Sequence, residues 1–230
     1  MTTSRSDIKN SANWGFETKQ VHIGQENPDL ATGARAVPIY ASTSFVFGRL
    51  RHAETDCLRD EGNIYGRLTN PTGEVFERRM AALEGGAAAL AVSSGAAAVS
   101  YAIQALAKAG EHIVASRNIY GGTYHLLAHT LPLTAGITAT FVDPEEEARL
   151  GGLQENTKAI FAETLGNPNS NLADIEELAK IAHRHGIPLV IDSTLLPLIW
   201  CGLWSTERTL WSLCTKFLGG HGTALGGVIV

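Results

Sequence analysis

The stretch DIEELAKIAHRHGIPLVID, residues 174–192, decides the fold class. Asp174 can cap a helix, and one face of that helix carries the apolar residues Ile175, Leu178, Ile181 and Ala182. Gly186 ends the helix, and the apolar run 187–191 follows as a buried strand that closes on Asp192. A helix followed directly by a buried strand is typical of a parallel sheet covered by helices.

The chain upstream repeats this alternation of strands and helices. Asn70 or Thr72 can cap a helix that has Pro71 in its first turn and ends at Gly85. Further apolar patterns predict strands at 87–92, 111–115, 138–142 and 157–163, and helices at 96–109 and 120–131. A last strand is predicted at 226–230. The sequence therefore predicts an α/β fold, a mostly parallel sheet with helices on both faces.

Residues 1–70 differ from the rest, because they are dense in turn formers and show no long periodicity. Their one β-rich segment is 36–47. We interpret residues 1–70 as an extended arm that packs on the body of the protein or on a partner subunit. A mobile tail is the alternative. Residues 71–230 form the predicted large domain.

Composition excludes several classes of protein. A formal net charge of -5 argues against a nucleic-acid partner, which usually requires a basic face. The three cysteines show no metal-ligand spacing, so no metal site is predicted. The polar start and the lack of a long apolar run indicate no signal peptide, no membrane partner and a cytoplasmic location.

The ends of the predicted strands carry the candidate binding residues, since parallel sheets bind ligands at their carboxyl edge. Ser94, Gly95 and Ala96 lie between a strand and a helix, where backbone N–H groups can seat a phosphate. An ordinary strand-to-helix turn is the alternative. Asp192 ends an apolar strand, so its carboxylate requires a cationic partner such as a protonated pyridine nitrogen. Capping a helix is its commoner role.

Four further residues can carry chemistry. Tyr120 can stack on a ring or fill a gap at the sheet edge, and Tyr65 with Arg67 forms a donor pair suited to phosphate. Lys216 stands in the stretch TKFLGGHG, residues 215–222. Burial would lower the pKa of this lysine enough for its amine to attack a carbonyl. A surface lysine before a glycine-rich turn is the alternative.

Taken in order, these residues resemble the pyridoxal-phosphate enzymes of the trans-sulfuration (Cys/Met metabolism) family. The resemblance rests on FETKQVHIGQ (16–25), TGARAVPIY (32–40), GNIYGRLTNPT (62–72), YGGT (120–123), ETLGNP (163–168) and KFLGGHG (216–222). It implies the large domain of the type I fold, which is the aspartate aminotransferase-like fold. Within the family, the chain is most similar to the O-acetylhomoserine sulfhydrylase group.

The resemblance also implies roles for the residues. Lys216 would hold pyridoxal 5'-phosphate and move protons, Asp192 would bind the ring nitrogen, and Tyr120 would stack on the ring. Asn167 would lie near the phenolic oxygen. The phosphate would be held at Gly95 and Ala96, with Tyr65 and Arg67 from a neighbouring subunit of a homo-oligomer. The other implied cofactor-binding residues are Ser94, Thr194 and Thr215.

The implied reaction is γ-replacement: sulfide displaces acetate from O-acetyl-L-homoserine and gives homocysteine. A cystathionine γ-synthase, a methionine γ-lyase or an inactive remnant are the alternatives. The family's C-terminal small domain is missing from the pattern, and this favours the remnant.

The stretch LLPLIWCGLWSTERTLWSLC, residues 195–214, does not resemble the family and contains three of the four tryptophans. We interpret it as the product of two compensating frameshifts, which the nucleotide sequence tests.

Overall fold

The computed structural model describes residues 13–46, 63–143, 152–196 and 216–230, together with the backbone of 210–213. The chain divides into two compact units, Met1–Ala89 and Leu90–Val230. The first unit contains α1 (Phe16–His22) and α2 (Pro71–Glu84). The helix α2 was predicted to open the large domain, but it belongs to the first unit. Among the described helices, none is long and apolar enough to cross a membrane.

Both ends of α2 follow the sequence signals. The Asn70 side chain accepts a hydrogen bond from the Thr72 N–H at 2.9 Å, and Pro71 occupies the first turn. Gly85 ends the helix in the left-handed conformation (φ 67°), which glycine adopts without a steric penalty. The predicted helix is thus confirmed.

The predicted arm is only partly extended. It includes α1, which the sequence analysis missed, and its β-rich segment forms no strand in the described residues 36–46, only an isolated bridge between Ser44 and Tyr65. The physical reason is that α2 takes the backbone groups of this segment. Thr72 Oγ1 accepts from the Tyr40 N–H and donates to the Pro38 carbonyl, and Asn70 Nδ2 donates to the Tyr40 carbonyl.

The second unit is built on one seven-stranded sheet. Its strands are β1 (Leu90–Val92), β2 (His112–Ser116), β3 (Thr138–Val142), β4 (Thr157–Glu163), β5 (Leu189–Asp192), β6 (Leu210–Leu213) and β7 (Gly227–Ile229). The spatial order is β1-β7-β6-β5-β4-β2-β3. Strand β7 is antiparallel to both of its neighbours, and the other observed pairings are parallel. The predicted mostly parallel sheet is confirmed.

The helices of this unit are α3 (Gly95–Leu106), α4 (Gly121–His125), α5 (Leu131–Thr134) and α6 (Ile175–Arg184), with a π-helical turn at Leu126–Thr130 that joins α4 to α5. Helix α3 ends three residues before the predicted end at Ala109. Ala107 leaves the helix in an extended conformation, and the Glu111 carboxylate then accepts from the Lys108 N–H at 2.9 Å.

Two apolar clusters cover the two faces of the sheet. On one face, Val99 of α3 and Leu127 of the π-helical turn pack with Ile113, Phe161 and other inward residues. On the opposite face, α6 packs against the sheet residues Val114, Ile160, Ala162, Leu189 and Ile191. Neighbouring residues of one strand point to opposite faces, and this alternation is the reason that the strands read as continuous apolar runs.

Candidate functional site

A cavity of about 750 Å³ opens at the carboxyl edge of the sheet, within the second unit. It is the place where parallel sheets bind ligands. The structure brings eight of the predicted site residues into its lining: Ser94, Gly95, Ala96, Tyr120, Asn167, Asp192, Thr194 and Lys216. These eight positions span more than a hundred residues of sequence, and the strand order alone draws them together.

Asp192 ends β5 and is 9 % exposed. Its Oδ1 accepts hydrogen bonds from the Thr194 N–H at 2.9 Å and from the Thr194 hydroxyl at 2.5 Å. Burial nevertheless raises the pKa of this carboxyl, with the two Thr194 hydrogen bonds opposing the change. No described lysine, arginine or histidine forms an ion pair with Asp192. A buried acid that faces a cavity and has no ion-pair partner among the described residues is suited to a cationic ligand.

Glu163 is a second buried carboxyl, and sequence reasoning gave it no role. It ends β4 directly beside Asp192 in the register of the sheet and is 7 % exposed. Its Oε1 accepts a hydrogen bond from the Tyr120 N–H at 2.7 Å. Burial raises the pKa of Glu163 to about 7; the Tyr120 hydrogen bond opposes this rise and the nearby Asp192 adds to it. The signal in the sequence was the same as for Asp192, an acid at the end of an apolar strand.

Tyr120 precedes the first residue of α4; it is 57 % exposed and lines the cavity. Its ring lies against Gly122, where a Cβ atom would collide with the ring atoms. Glycine at position 122 therefore leaves the space that the Tyr120 ring occupies. The predicted stacking role of Tyr120 is compatible with this position and stays a prediction.

Ser94, Gly95 and Ala96 form the N-terminal end of α3. The Ser94 hydroxyl accepts a hydrogen bond from the Ala97 N–H at 3.1 Å and so caps the helix. Gly95 and Ala96 lie in the first turn, whose N–H groups have no partner within a helix, and both line the cavity. The positive end of the helix dipole makes this a suitable seat for an anion.

Lys216 lines the cavity, but its environment differs from the expectation. The sequence analysis placed its amine in a buried setting, whereas Lys216 is exposed. It begins a turn in which the Gly220 N–H donates to the Lys216 carbonyl at 3.1 Å. The residue is therefore both exposed and next to the cavity.

The remaining predicted residues lie elsewhere. Thr215 and most of the divergent stretch 195–214 are outside the described residues, although the backbone of 210–213 pairs with β5 and β7. Tyr65 and Arg67 belong to the first unit, where the Arg67 guanidinium lies 5.3 Å from the centre of the Tyr65 ring. Both are exposed, and their role toward a neighbouring subunit stays a prediction. Within the described part of the chain, no group of three or more acidic, cysteine or histidine residues could hold a metal ion.

The family model described as "Cys/Met metabolism PLP-dependent enzyme" matches residues 17–230. The chain belongs to this family. Among curated relatives, it is 48% identical to the homocysteine synthase of Schizosaccharomyces pombe over 223 residues, which are 94% of this chain and 51% of that protein. It is 46% identical to the O-acetyl-L-homoserine sulfhydrylase of Corynebacterium glutamicum, covering 97% of this chain and 52% of that protein. The chain thus spans about half the length of the curated relatives it matches.

Similar solved structures agree with the fold. A Campylobacter jejuni protein named as an O-acetylhomoserine (thiol)-lyase, with a pyridoxyl-lysine monophosphate, is 38% identical with a TM-score of 0.89. The match covers 94% of this chain and 53% of that chain. The cystathionine γ-lyase of Lactobacillus plantarum is 32% identical with a TM-score of 0.84, and the match covers 94% of this chain and 55% of that chain. The predicted type I fold is therefore confirmed.

The cavity fits the cofactor of the family. Pyridoxal phosphate has a cationic ring nitrogen when protonated, a flat aromatic ring, a phosphate and an aldehyde. The cavity offers, in turn, the unpaired buried carboxyl of Asp192, the exposed ring of Tyr120, the N-terminal end of α3 and the accessible amine of Lys216. Each part of the cofactor thus has a chemically matched group.

Proposed function

We propose that this chain carries the cofactor site of an enzyme that replaces the acetate of O-acetyl-L-homoserine with sulfide. The products are homocysteine and acetate. The observation that carries the proposal is one cavity lined by both the buried carboxyl of Asp192, which forms no ion pair with a described residue, and the exposed Lys216. The likeness to a homocysteine synthase and to O-acetyl-L-homoserine sulfhydrylases supports this choice of substrate.

Bound pyridoxal phosphate supplies an electron sink, which stabilises negative charge on the carbon atoms of an attached amino acid. The residues of the chain do the rest. Asp192 keeps the ring nitrogen protonated by placing a negative charge beside it, and Tyr120 covers one face of the ring. Gly95 and Ala96 bind the phosphate through backbone N–H groups. Lys216 holds the cofactor and then moves protons, since γ-replacement requires proton removal at two successive carbons.

The N-terminal unit completes the proposal. We assign Tyr65 and Arg67 to the phosphate of a neighbouring subunit in a homo-oligomer, as the family resemblance implies. Their exposure in this chain supports that assignment, because both side chains are available to another molecule. Small-molecule substrates and a cytoplasmic location belong to the same proposal.

The test is cofactor uptake by the purified chain. We expect added pyridoxal phosphate to give a stable visible absorption band that survives desalting, and we expect Lys216→Ala to abolish it. Lys158→Ala is the matched control, because Lys158 forms an ion pair with Glu111 and does not line the cavity. A native chain that stays colourless contradicts the proposal and favours an inactive remnant.

A second measurement separates the substrates. The loaded chain is given O-acetyl-L-homoserine with sulfide or with cysteine, and acetate release is followed. Faster release with sulfide supports the sulfhydrylase assignment, whereas faster release with cysteine supports the cystathionine γ-synthase alternative. Release of a keto acid from methionine would indicate the γ-lyase alternative.

A further inference from the structure

We propose that Glu163 is a positioning residue, which holds the ring of Tyr120 against the bound cofactor by anchoring the backbone of Tyr120. The inference rests on the proposed function, since it concerns the same cavity. It gives a role to Glu163, to which neither the sequence pattern nor the family resemblance assigned one.

The first support is the geometry of the anchor. Glu163 Oε1 lies 2.7 Å from the Tyr120 nitrogen, a short distance for an N–H···O hydrogen bond. The Tyr120 hydroxyl makes no hydrogen bond with any described residue, and its side chain is 57 % exposed. The orientation of the ring therefore depends on its backbone and on the space at Gly122. The bond from Glu163 fixes that backbone.

The second support is that Glu163 is buried although its burial is unfavourable. Its neighbour in the sheet is another buried carboxyl, Asp192, and the two charges repel one another. Lys216 and His125 also line the cavity, but no ion pair joins either of them to Glu163 among the described contacts. A glutamine would accept the same hydrogen bond without this repulsion, so a function of the charge is the simplest explanation.

The charge matters because a carboxylate is a stronger acceptor than a neutral carboxyl or amide group. Burial raises the pKa of Glu163 to about 7, so the carboxyl ionises in the neutral pH range. The strength of its hydrogen bond with the Tyr120 N–H changes in the same range. Above this range the carboxylate holds Tyr120 firmly, and below it the protonated carboxyl holds Tyr120 no better than glutamine would. The anchor is therefore strongest at mildly alkaline pH.

The experiment is a double-mutant cycle on the 230-residue chain, with the dissociation constant of pyridoxal phosphate as the readout. We expect Glu163→Leu to raise this constant about tenfold, because it removes a charge-assisted hydrogen bond. In a Tyr120→Ala background, the same change is expected to alter it less than about twofold. Equal effects in both backgrounds would show that Glu163 does not act through the tyrosine ring.

A pH profile gives an independent readout with the isosteric Glu163→Gln variant. All ionisable groups other than residue 163 are common to the variant and the native chain, so the ratio of their dissociation constants reports the ionisation of Glu163. We expect a ratio near one at pH 6 that rises about fivefold by pH 8 as the native carboxyl ionises. A ratio that is flat with pH overturns the inference. This comparison decides the matter if the leucine variant does not fold.

A third readout needs no cofactor. In the empty chain, hydrogen exchange of the peptide 118–124 is expected to be faster in Glu163→Leu than in the native chain and in Glu163→Gln. Glu111→Gln is the control, because Glu111 lies at the other end of the sheet. If the native chain binds pyridoxal phosphate and Glu163→Leu binds it with the same dissociation constant, this inference is wrong and the proposed function is unaffected. A native chain that binds no pyridoxal phosphate overturns the proposed function as well.

Discussion

The two ends of the sheet bury ionisable side chains in opposite ways. At the amino end, His112 is 1 % exposed, and both ring nitrogens have partners: Thr157 Oγ1 and Thr140 Oγ1, each at 2.9 Å. At the carboxyl end, Asp192 and Glu163 are almost as buried and lie side by side, yet neither forms an ion pair with a residue that the structure describes. The buried group at the amino end already has its hydrogen-bond partners, whereas the two acids at the carboxyl end line a cavity that can hold a ligand.

This difference separates a structural from a functional buried group. His112 joins three neighbouring strands, β4, β2 and β3, so its burial contributes to stability. Burial lowers the pKa of His112 and keeps the ring neutral, which is the form that its two threonine partners match. At the carboxyl end, burial raises the pKa of both acids and so opposes folding when they ionise. Binding of a cation at the carboxyl end offsets this loss in the free energy of unfolding.

The largest expected effect tests the amino end. We expect His112→Ala to lower the free energy of unfolding by about 2–4 kcal/mol, because it leaves a cavity and removes one hydrogen-bond partner from the buried Thr157 and from the half-buried Thr140. The dissociation constant of pyridoxal phosphate is expected to stay within about twofold. Urea denaturation and cofactor titration of the same samples measure both quantities.

The pH dependence of that loss has a definite sign. The folded-state pKa of His112 is lowered from its usual 6.5, so its contribution to stability is present above 6.5 and is lost as the pH falls below it. The difference between native and His112→Ala should therefore shrink in acid. A difference that grows in acid would contradict a neutral, fully paired histidine.

The next effect tests the carboxyl end and has the opposite direction. Asp192→Asn keeps an acceptor oxygen for Thr194 but removes the charge. We expect it to raise the free energy of unfolding at pH 8 and to weaken pyridoxal phosphate binding at least about tenfold, because the buried charge is gone. Because the folded-state pKa of Asp192 is raised, the gain in stability should vanish as the pH falls below the ordinary range of an aspartate. An unchanged affinity would remove Asp192 from the cofactor site.

The smallest effect supplies the baseline. Asp174 is an exposed carboxylate that caps α6 by accepting from the Glu177 N–H at 3.0 Å. We expect Asp174→Ala to lower the free energy of unfolding by about 1 kcal/mol and to leave cofactor binding unchanged. Thermal unfolding and cofactor titration of the variant measure both quantities. A loss of stability as large as that of His112→Ala would contradict a purely local capping role.

Much of the fold was predictable because its signals are local. The helix after Asp174, the cap at Asn70 and the strand that ends at Asp192 all follow from hydrophobic spacing and capping residues within a few positions. The arm was harder. Its β-rich segment forms no strand in the described residues, because Thr72 and Asn70, some thirty residues later, take its backbone groups. A local sequence pattern does not show that distant side chains will bond to the backbone of a segment.

The stretch 174–192 by itself determined that this protein is α/β and that a carboxyl group stands at the end of a buried strand. Only the tertiary structure decided which groups meet that carboxyl: Glu163 beside it, Thr194 on it, and no cation in contact with it among the described residues. The reason is that secondary structure depends on neighbours in sequence, whereas the charge and burial of a site depend on strand order. Strand order brings Tyr120, Glu163, Asp192 and Lys216 to one cavity, and it is fixed by packing across the whole sheet.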